Sequence, residues 1–274
     1  MKKPKKLRSR KAGLPPGSLV HIGEIKTRES GIALLDFGPD GLVETRLAEI
    51  RDLTGYRQQH ANLWANIYGL HEGDDLMAIG SAFGLHPLLL EDILNTNQRQ
   101  KVEAYGDYLY LVLHRYEVLG APACLVQDQI SLVIGQGRLL CFQERSSQTF
   151  EPIRERLRKP QDNLRAAGMD MLAYSLIDSV VDSYFGVIEQ LDEHAERLEA
   201  EILGTPGPDV LEQIHQFRRC VSQLRRNLYP LRELLGGLHR EHARFFGTEI
   251  QLYLRDVYDH TVHILESLDD LREL

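Results

Sequence analysis

The chain has 274 residues, 43% of them hydrophobic, and a formal net charge of -8 at pH 7. This composition excludes a disordered chain and is sufficient for one large core with a helical extension. The first eleven residues hold seven of the 32 Lys and Arg and no acid, which leaves 25 basic against 40 acidic side chains elsewhere. So acidic a body argues against nucleic acid as a partner and favours cations.

The N-terminal segment, residues 1–16, is predicted to be a basic disordered tail, and a membrane-surface or nucleic-acid patch is the alternative. It lacks the apolar stretch of a signal peptide. No uninterrupted run approaches 18 apolar residues, so no membrane span is predicted within the chain. The three cysteines, Cys124, Cys141 and Cys220, have no CxxC spacing, which fits a reducing cytosol.

Residues 17–150 are predicted to form an α/β head. Two helices are indicated: DDLMAIGSAFG, closed by Gly84, and LLLEDILN, which has Pro87 in its first turn. A turn at Gly135–Gly137 joins the last two of about seven predicted strands. The strand segments are SLVHIGEIK, GIALLDFG, VETRLAEI, NLWANIYG, DYLYLVLHRYE, CLVQDQISLVIG and RLLCFQE.

Residues 151–247 are predicted to form a helical layer and a long helical hairpin, broken at Gly204–Pro208 and bent near Pro230. Residues 248–274 carry a helical seam whose periodicity runs to the last residue, without a terminating Gly or Pro. We therefore interpret this helix as the start of a longer stalk, cut before it ends. The seam residues are Ile250, Leu254, Val257, Thr261, Ile264, Leu268 and Leu271.

No enzyme signature is present. The sequence has no GxSxG, GxxxxGK[ST] or HExxH motif, and no GxGxxG follows a strand. The HREH segment at His239–His242 lacks the glutamate that must follow the first histidine of a metalloprotease motif. The sequence therefore predicts a protein that is not an enzyme.

Two acidic places favour cation binding. Glu91 and Asp92 lie in an otherwise apolar helix, where charges without a partner are costly. The last helix carries a second cluster at i, i+3, i+4 and i+7. Carboxylates suit Mg²⁺, and imidazole extends the choice to Co²⁺, Ni²⁺ or Zn²⁺. The second cluster comprises Asp256, Asp259, His260 and His263.

Alternatives remain open for the Glu91–Asp92 pair and for the acid-rich helix from Asp178 to Glu201. Glu91 and Asp92 could instead cap their helix or pair with basic neighbours such as Arg99 and Lys101. In the acid-rich helix further along, a solvated face is the simpler interpretation, and Asp182, four residues after Asp178, is either a ligand or only a neighbour.

Three ordered blocks resemble the cytoplasmic domain of CorA-type magnesium and cobalt transporters. They are HPLLLEDILNTNQRQKVEAYGDYLYLVLHRYE from His86, YSLIDSVVDSYF from Tyr174 and YLRDVYDHT from Tyr253. The resemblance implies an αβα head with a mixed sheet, a homopentamer, and a last helix that continues into a membrane span beyond this chain. The family's GMN motif, at the pore mouth, is absent with the spans.

The resemblance also implies metal ligands. One divalent site would join Asp92 of one protomer to Asp256 of the next, and a second would use Glu91, Asp178 and His260. The expected function is a cytoplasmic sensor, facing the cytoplasm below the inner membrane, in which Mg²⁺ between protomers closes the pore. The alternatives are a zinc-transporting relative and a soluble helical scaffold.

Overall fold

The computed structural model describes residues 13–69, 73–120, 124–204 and 207–273, and within them the central feature is a seven-stranded mixed sheet. In space the strand order is β2-β1-β3-β7-β6-β5-β4. The β3–β7 pair is parallel, whereas β1–β2, β1–β3 and β6–β7 are antiparallel. The strands are β1 (Gly31–Gly38), β2 (Gly41–Leu47), β3 (Asn62–Tyr68), β4 (Lys101–Tyr105), β5 (Tyr108–Leu119), β6 (Cys124–Gly135) and β7 (Arg138–Gln143).

The described residues also form six α-helices, which are numbered in chain order. α1 ends where Gly84 takes a φ of +65°, a left-handed conformation that favours glycine, as predicted. α2 begins with Pro87, and the side chain of His86 accepts a hydrogen bond from the Leu88 N–H. The helices are α1 (Gly73–Phe83), α2 (Pro87–Leu94), α3 (Glu151–Arg158), α4 (Gly168–Leu203), α5 (Val210–Arg240) and α6 (Thr248–Glu273).

Alternation along β3 places its side chains on two faces. Leu63, Ala65 and Ile67 join the apolar core that α1 and α2 complete with Leu76 and Leu89. On the other face, Trp64 meets Phe150, which precedes α3, with ring centroids 6.1 Å apart. Helices thus cover both faces of this part of the sheet, and the predicted α/β class with a seven-stranded mixed sheet is confirmed.

One predicted strand is wrong and one strand was missed. The segment SLVHIGEIK forms no strand, since its residue Ile22 makes only an isolated bridge with Asn95 and exchanges backbone hydrogen bonds with Leu94 and Thr96 at 2.9 Å. The sheet instead gains β4, whose charged residues weaken the strand pattern. The Gly106 turn after β4, with a φ of +61°, is the hairpin signal that the sequence offered.

The chain divides into two compact units. The first comprises Met1–Gln98, Glu103–Val112 and Asp128–Ala173, and the second Arg99–Val102, Leu113–Gln127 and Tyr174–Leu274. The domain boundaries predicted after residues 16, 150 and 247 stay predictions. Residues 1–12 of the predicted tail, residues 205–206 of the predicted break and residue 274 lie outside the described residues.

In the second unit, α5 and α6 pack against each other and bury the predicted seam. Every seam residue of α6 is at most 5% exposed. The hydroxyl of Thr261, the seam's one polar group, donates to the Val257 carbonyl at 3.0 Å, which removes the cost of burying it. α5 continues through Pro230 without a break, so that proline does not end the helix.

One described helix, α4, is long and apolar enough to cross a membrane by length and composition alone. Half of its most apolar stretch is buried inside the protein, and core helices also pass a test of length and composition. The apolar residues of α4 are interspersed with polar ones, so the helix contains no uninterrupted apolar run of that length.

Candidate metal centre

The acidic pair on α2 lies in the first unit and accepts hydrogen bonds from the protein. The Glu91 carboxylate accepts from the Gly17 N–H at 2.6 Å, and Asp92 accepts from the side-chain amide of Gln98. Both acids are half-buried. Arg99, one of the basic partners considered from the sequence, pairs with Glu233 at 2.7 Å in the second unit. Donors that satisfy a carboxylate reduce the cost of burying its charge.

In the second unit, Asp178, Asp182 and His260 form a group that could hold a metal ion. Their ligand atoms all lie within 4.8 Å of one another. Asp178 and Asp182 share a face of α4 because they are four residues apart, and His260 faces them from α6. Two carboxylate oxygens and one imidazole nitrogen are a suitable partial ligand set for a divalent cation that keeps some of its waters.

The electrostatics of this group favour a cation. Burial raises the pKa of the Asp178 carboxyl, and the neighbouring charge of Asp182 raises it further, while a hydrogen bond from Tyr174 acts in the opposite direction. Burial and the nearby Asp178 charge together raise the pKa of Tyr174 to about 12. Two ionised acids at one site repel each other, and a cation between them stabilises both charges.

His260 is oriented for such a cation. Its Nδ1 is buried without a hydrogen-bond partner and lies 3.9 Å from Oδ1 of Asp182. Its Nε2 lies 3.6 Å from Oδ2 of Asp256, one turn earlier on α6. The ring edge packs on Phe185, with centroids 5.7 Å apart. Carboxylate oxygens thus face both ring nitrogens; the nearer one, at Nε2, is the better partner for a ring proton, and a proton there would leave the lone pair of Nδ1 for a metal.

The structure brings some of the predicted ligands together. Asp178 and His260 lie in the same three-residue group, and Asp256 adjoins it through His260. Glu91 and Asp92 belong to the other unit, so their part in a metal site stays a prediction. Asp182 was left open from the sequence, although its spacing of four from Asp178 was the available signal. Asp259 and His263 are not among the three grouped ligands.

Comparison with known proteins places the chain in the class of metal-ion transport proteins. A family described as "CorA-like Mg2+ transporter protein" matches residues 59–274. The chain belongs to the CorA family. This is a family of metal-ion transporters and not of enzymes, and membership favours the transporter prediction over the soluble scaffold.

Relatives in sequence are also named as metal-ion transport proteins. The chain is 36% identical over 266 residues to the cobalt/magnesium transport protein CorA of Thermotoga maritima, covering 97% of this chain and 76% of that protein. It is 24% identical over 212 residues to the putative metal ion transporter YfjQ of Bacillus subtilis, covering 77% of this chain and 64% of YfjQ. The chain thus spans about three quarters and two thirds of these two relatives.

Solved structures support the fold. The soluble domain of CorA from Methanocaldococcus jannaschii matches with a TM-score of 0.71 at 19% identity, covering 88% of this chain and 92% of that one. The cytoplasmic domain of ZntB from Vibrio parahaemolyticus matches with a TM-score of 0.67 at 13% identity, covering 89% and 92%. At these identities the matches establish the fold of the CorA cytoplasmic domain and leave the transported ion open.

Proposed function

We propose that the chain is the cytoplasmic cation-sensing region of a pentameric CorA-type transporter for Mg²⁺ and Co²⁺ in the inner membrane. The observation that carries this proposal is the Asp178–Asp182–His260 group, with its repelling acids and its unpartnered imidazole nitrogen. In this proposal the group binds one cation within a chain. Because the group contains an imidazole, it could bind Co²⁺, Ni²⁺ or Zn²⁺ as well as Mg²⁺.

A second cation site, between protomers, would couple sensing to gating. Asp92 of one protomer and Asp256 of the next repel each other when brought together, and Mg²⁺ between them turns that contact into a clamp. Asp256 is 66% exposed in its side chain and therefore accessible to a neighbour. In the second site that the family resemblance implies, Glu91, which accepts the Gly17 N–H through Oε2, would be a ligand beside Asp178 and His260.

Five weak cation sites, one at each interface of the proposed pentamer, are sufficient to shift it between an open and a closed state. Moving a two-state equilibrium from 1:99 to 99:1 takes about 5.5 kcal/mol. Distributed over five interfaces, that is roughly 1 kcal/mol of differential binding per interface, which a weakly held hydrated cation can supply. High cytosolic Mg²⁺ would fill the sites and hold the pore closed, and depletion would release the protomers.

Sedimentation velocity in EDTA and then in millimolar Mg²⁺ tests the proposed clamp. We expect Mg²⁺ to drive association of the wild-type chain and of Asp259→Asn, and to leave Asp256→Asn and Asp92→Asn dissociated. Asp259→Asn is the matched control because it removes an exposed acid from the same helix. Association that is identical with and without Mg²⁺ would contradict a metal clamp.

Transport by the whole transporter tests the gating step. We expect Asp92→Asn to weaken the inhibition of flux by cytosolic Mg²⁺, because one half of each clamp has lost its charge. Unchanged inhibition in that variant would refute the role assigned to Asp92.

A further inference from the structure

A second polar site lies in the first unit, and none of the candidate cation ligands lines it. It is a cavity of about 210 Å³ between the β1–β3 surface and the beginning of α3. Its walls are rich in groups that donate hydrogen bonds, including three arginines. The charged and amide side chains in its wall include those of Glu44, Arg46, Asn66, Glu151, Arg154 and Arg158.

Arg154 is the central wall residue, and one of its donors has no partner. The residue is 7% exposed, and its guanidinium lies over the Trp64 ring, 5.3 Å from the centroid. Its Nη1 donates to Glu151 at 3.0 Å, but its Nε is buried without a hydrogen-bond partner. A buried, charged donor left unsatisfied is costly, so Arg154 Nε is available to donate a hydrogen bond to a ligand oxygen.

Asn66 supplies an unsatisfied acceptor on the same cavity wall. The residue is 3% exposed on β3, and its Oδ1 is buried without a partner. Its side-chain amide offers an acceptor and two donors. A ligand that satisfies both Arg154 Nε and Asn66 Oδ1 must therefore carry oxygen acceptors and at least one hydrogen-bond donor.

The side chains around the cavity carry a net positive charge that an anion could balance. Arg158 holds Glu44 through two hydrogen bonds of 2.8 and 2.9 Å and Glu151 through one of 2.6 Å. These contacts with Arg158 are the largest influence lowering the pKa of both carboxyls, so both stay ionised at neutral pH. Arg46 is exposed, and its side chain has no ion pair or hydrogen bond among the described residues.

We propose that this cavity binds a phosphoryl group, as inorganic phosphate or a small phosphate monoester, between Arg46 and Arg154. Three arginines against two committed glutamates leave one uncompensated positive charge for the anion. Guanidinium groups pair well with phosphate oxygens. The P–OH of hydrogen phosphate, or a hydroxyl of a small phosphate monoester such as glycerol phosphate, can donate to Asn66 Oδ1, whereas sulfate has no donor for it. The site is independent of the proposed cation sites.

The single tryptophan gives a local readout of this binding. Trp64 is the chain's one Trp, is fully buried and carries Arg154 on its ring, so a ligand on that guanidinium should change its fluorescence. The 274-residue chain is titrated with sodium phosphate, glycerol phosphate or sodium sulfate at constant ionic strength, without divalent metal. We expect a saturable change with phosphate or its ester and a much weaker one with sulfate. Tighter binding of free phosphate identifies the ion as ligand, and tighter binding of glycerol phosphate identifies an ester.

Substitution of Arg46 separates this site from general anion binding. Arg46→Gln should raise the dissociation constant for phosphate at least about tenfold, the loss expected for one charge-assisted hydrogen bond. Arg57→Gln, which removes an exposed arginine outside the cavity, should leave it unchanged. Calorimetry that detects no phosphate or ester binding would overturn the proposal, as would equal binding by wild-type protein, Arg46→Gln and Arg57→Gln.

Discussion

Each of the two units contains a cluster of acids, buried in the first unit and more exposed in the second, and the clusters differ in how their charge is balanced. In the first unit, Lys26 bridges Asp128 at 3.0 Å and Glu144 at 2.8 Å, and Arg145 also donates to Asp128. In the second unit, the charges that act most on Asp178 are those of Asp182, His260 and Asp256. One cluster has two acids and two bases, and the other has three acids and one histidine.

The comparison separates structural acids from candidate ligands. A buried carboxylate that already has a cationic partner contributes to the fold, and removing the partner leaves an uncompensated charge. A pair of acids whose main neighbours are other acids and a histidine costs stability until a cation arrives. Acid content alone does not make this distinction, because both clusters are acidic. The two clusters are distinguished by whether the charges next to each acid are positive or negative.

The largest expected effect is the loss of Lys26. Lys26→Met leaves Asp128 paired with Arg145, whereas Glu144 keeps, among the described residues, only the Gln129 N–H as a hydrogen-bond donor, at 2.6 Å. We expect the free energy of unfolding at pH 7 to fall by about 3 kcal/mol, as when one partner of a buried ion pair is removed. Urea unfolding measures this loss, and Lys26→Arg is the control that retains the charge.

The sign of the pH dependence sharpens that test. Burial already raises the pKa of Glu144, and loss of the Lys26 charge raises it further. The destabilisation by Lys26→Met should therefore shrink as pH falls through the raised pKa, because a protonated Glu144 needs no cation. A loss below about 1 kcal/mol at pH 7 would place Lys26 among surface ion pairs and remove the contrast between the clusters.

A smaller effect of opposite sign is expected at Asp178. Because burial raises its pKa in the fold above the ordinary value of 3.8, ionised Asp178 destabilises the metal-free protein at neutral pH. Asp178→Asn should raise the free energy of unfolding in EDTA by about 0.5 kcal/mol, allowing for partial solvent screening. The gain should vanish below pH 3.8, where the wild-type carboxyl is protonated in both states. Destabilisation by Asp178→Asn in EDTA at pH 7 would contradict the repulsion described here.

Much of the fold could be predicted from local patterns. Gly84 and Pro87 mark a helix end and a helix start through their own backbone preferences, and alternating or apolar runs marked six of the seven strands. The error at residues 18–26 arose because an apolar run does not reveal its hydrogen-bond partner. That segment bonds to the residues after α2 instead of joining the sheet.

The candidate site could be predicted only in part. Asp182 lies four residues from Asp178, but a helix surface rich in acids offers many such pairs. Its participation depends on where α6 places His260, which no local pattern specifies. Lys26 is separated from its two acids by 102 and 118 residues, so the charge balance that distinguishes the two clusters is visible only in the folded chain.

The most direct test of the cation site is a Co²⁺ titration followed by visible absorption and calorimetry. We expect wild-type protein and Asp259→Asn to bind Co²⁺ with the spectrum of imidazole and carboxylate ligation, and Asp182→Asn and His260→Gln to lose at least about tenfold in affinity. Asp259 adjoins His260 in sequence but lies outside the three-residue group. If Asp182→Asn and Asp259→Asn bind Co²⁺ as tightly as wild-type protein, the Asp178–Asp182–His260 group is not a cation site and the account is wrong.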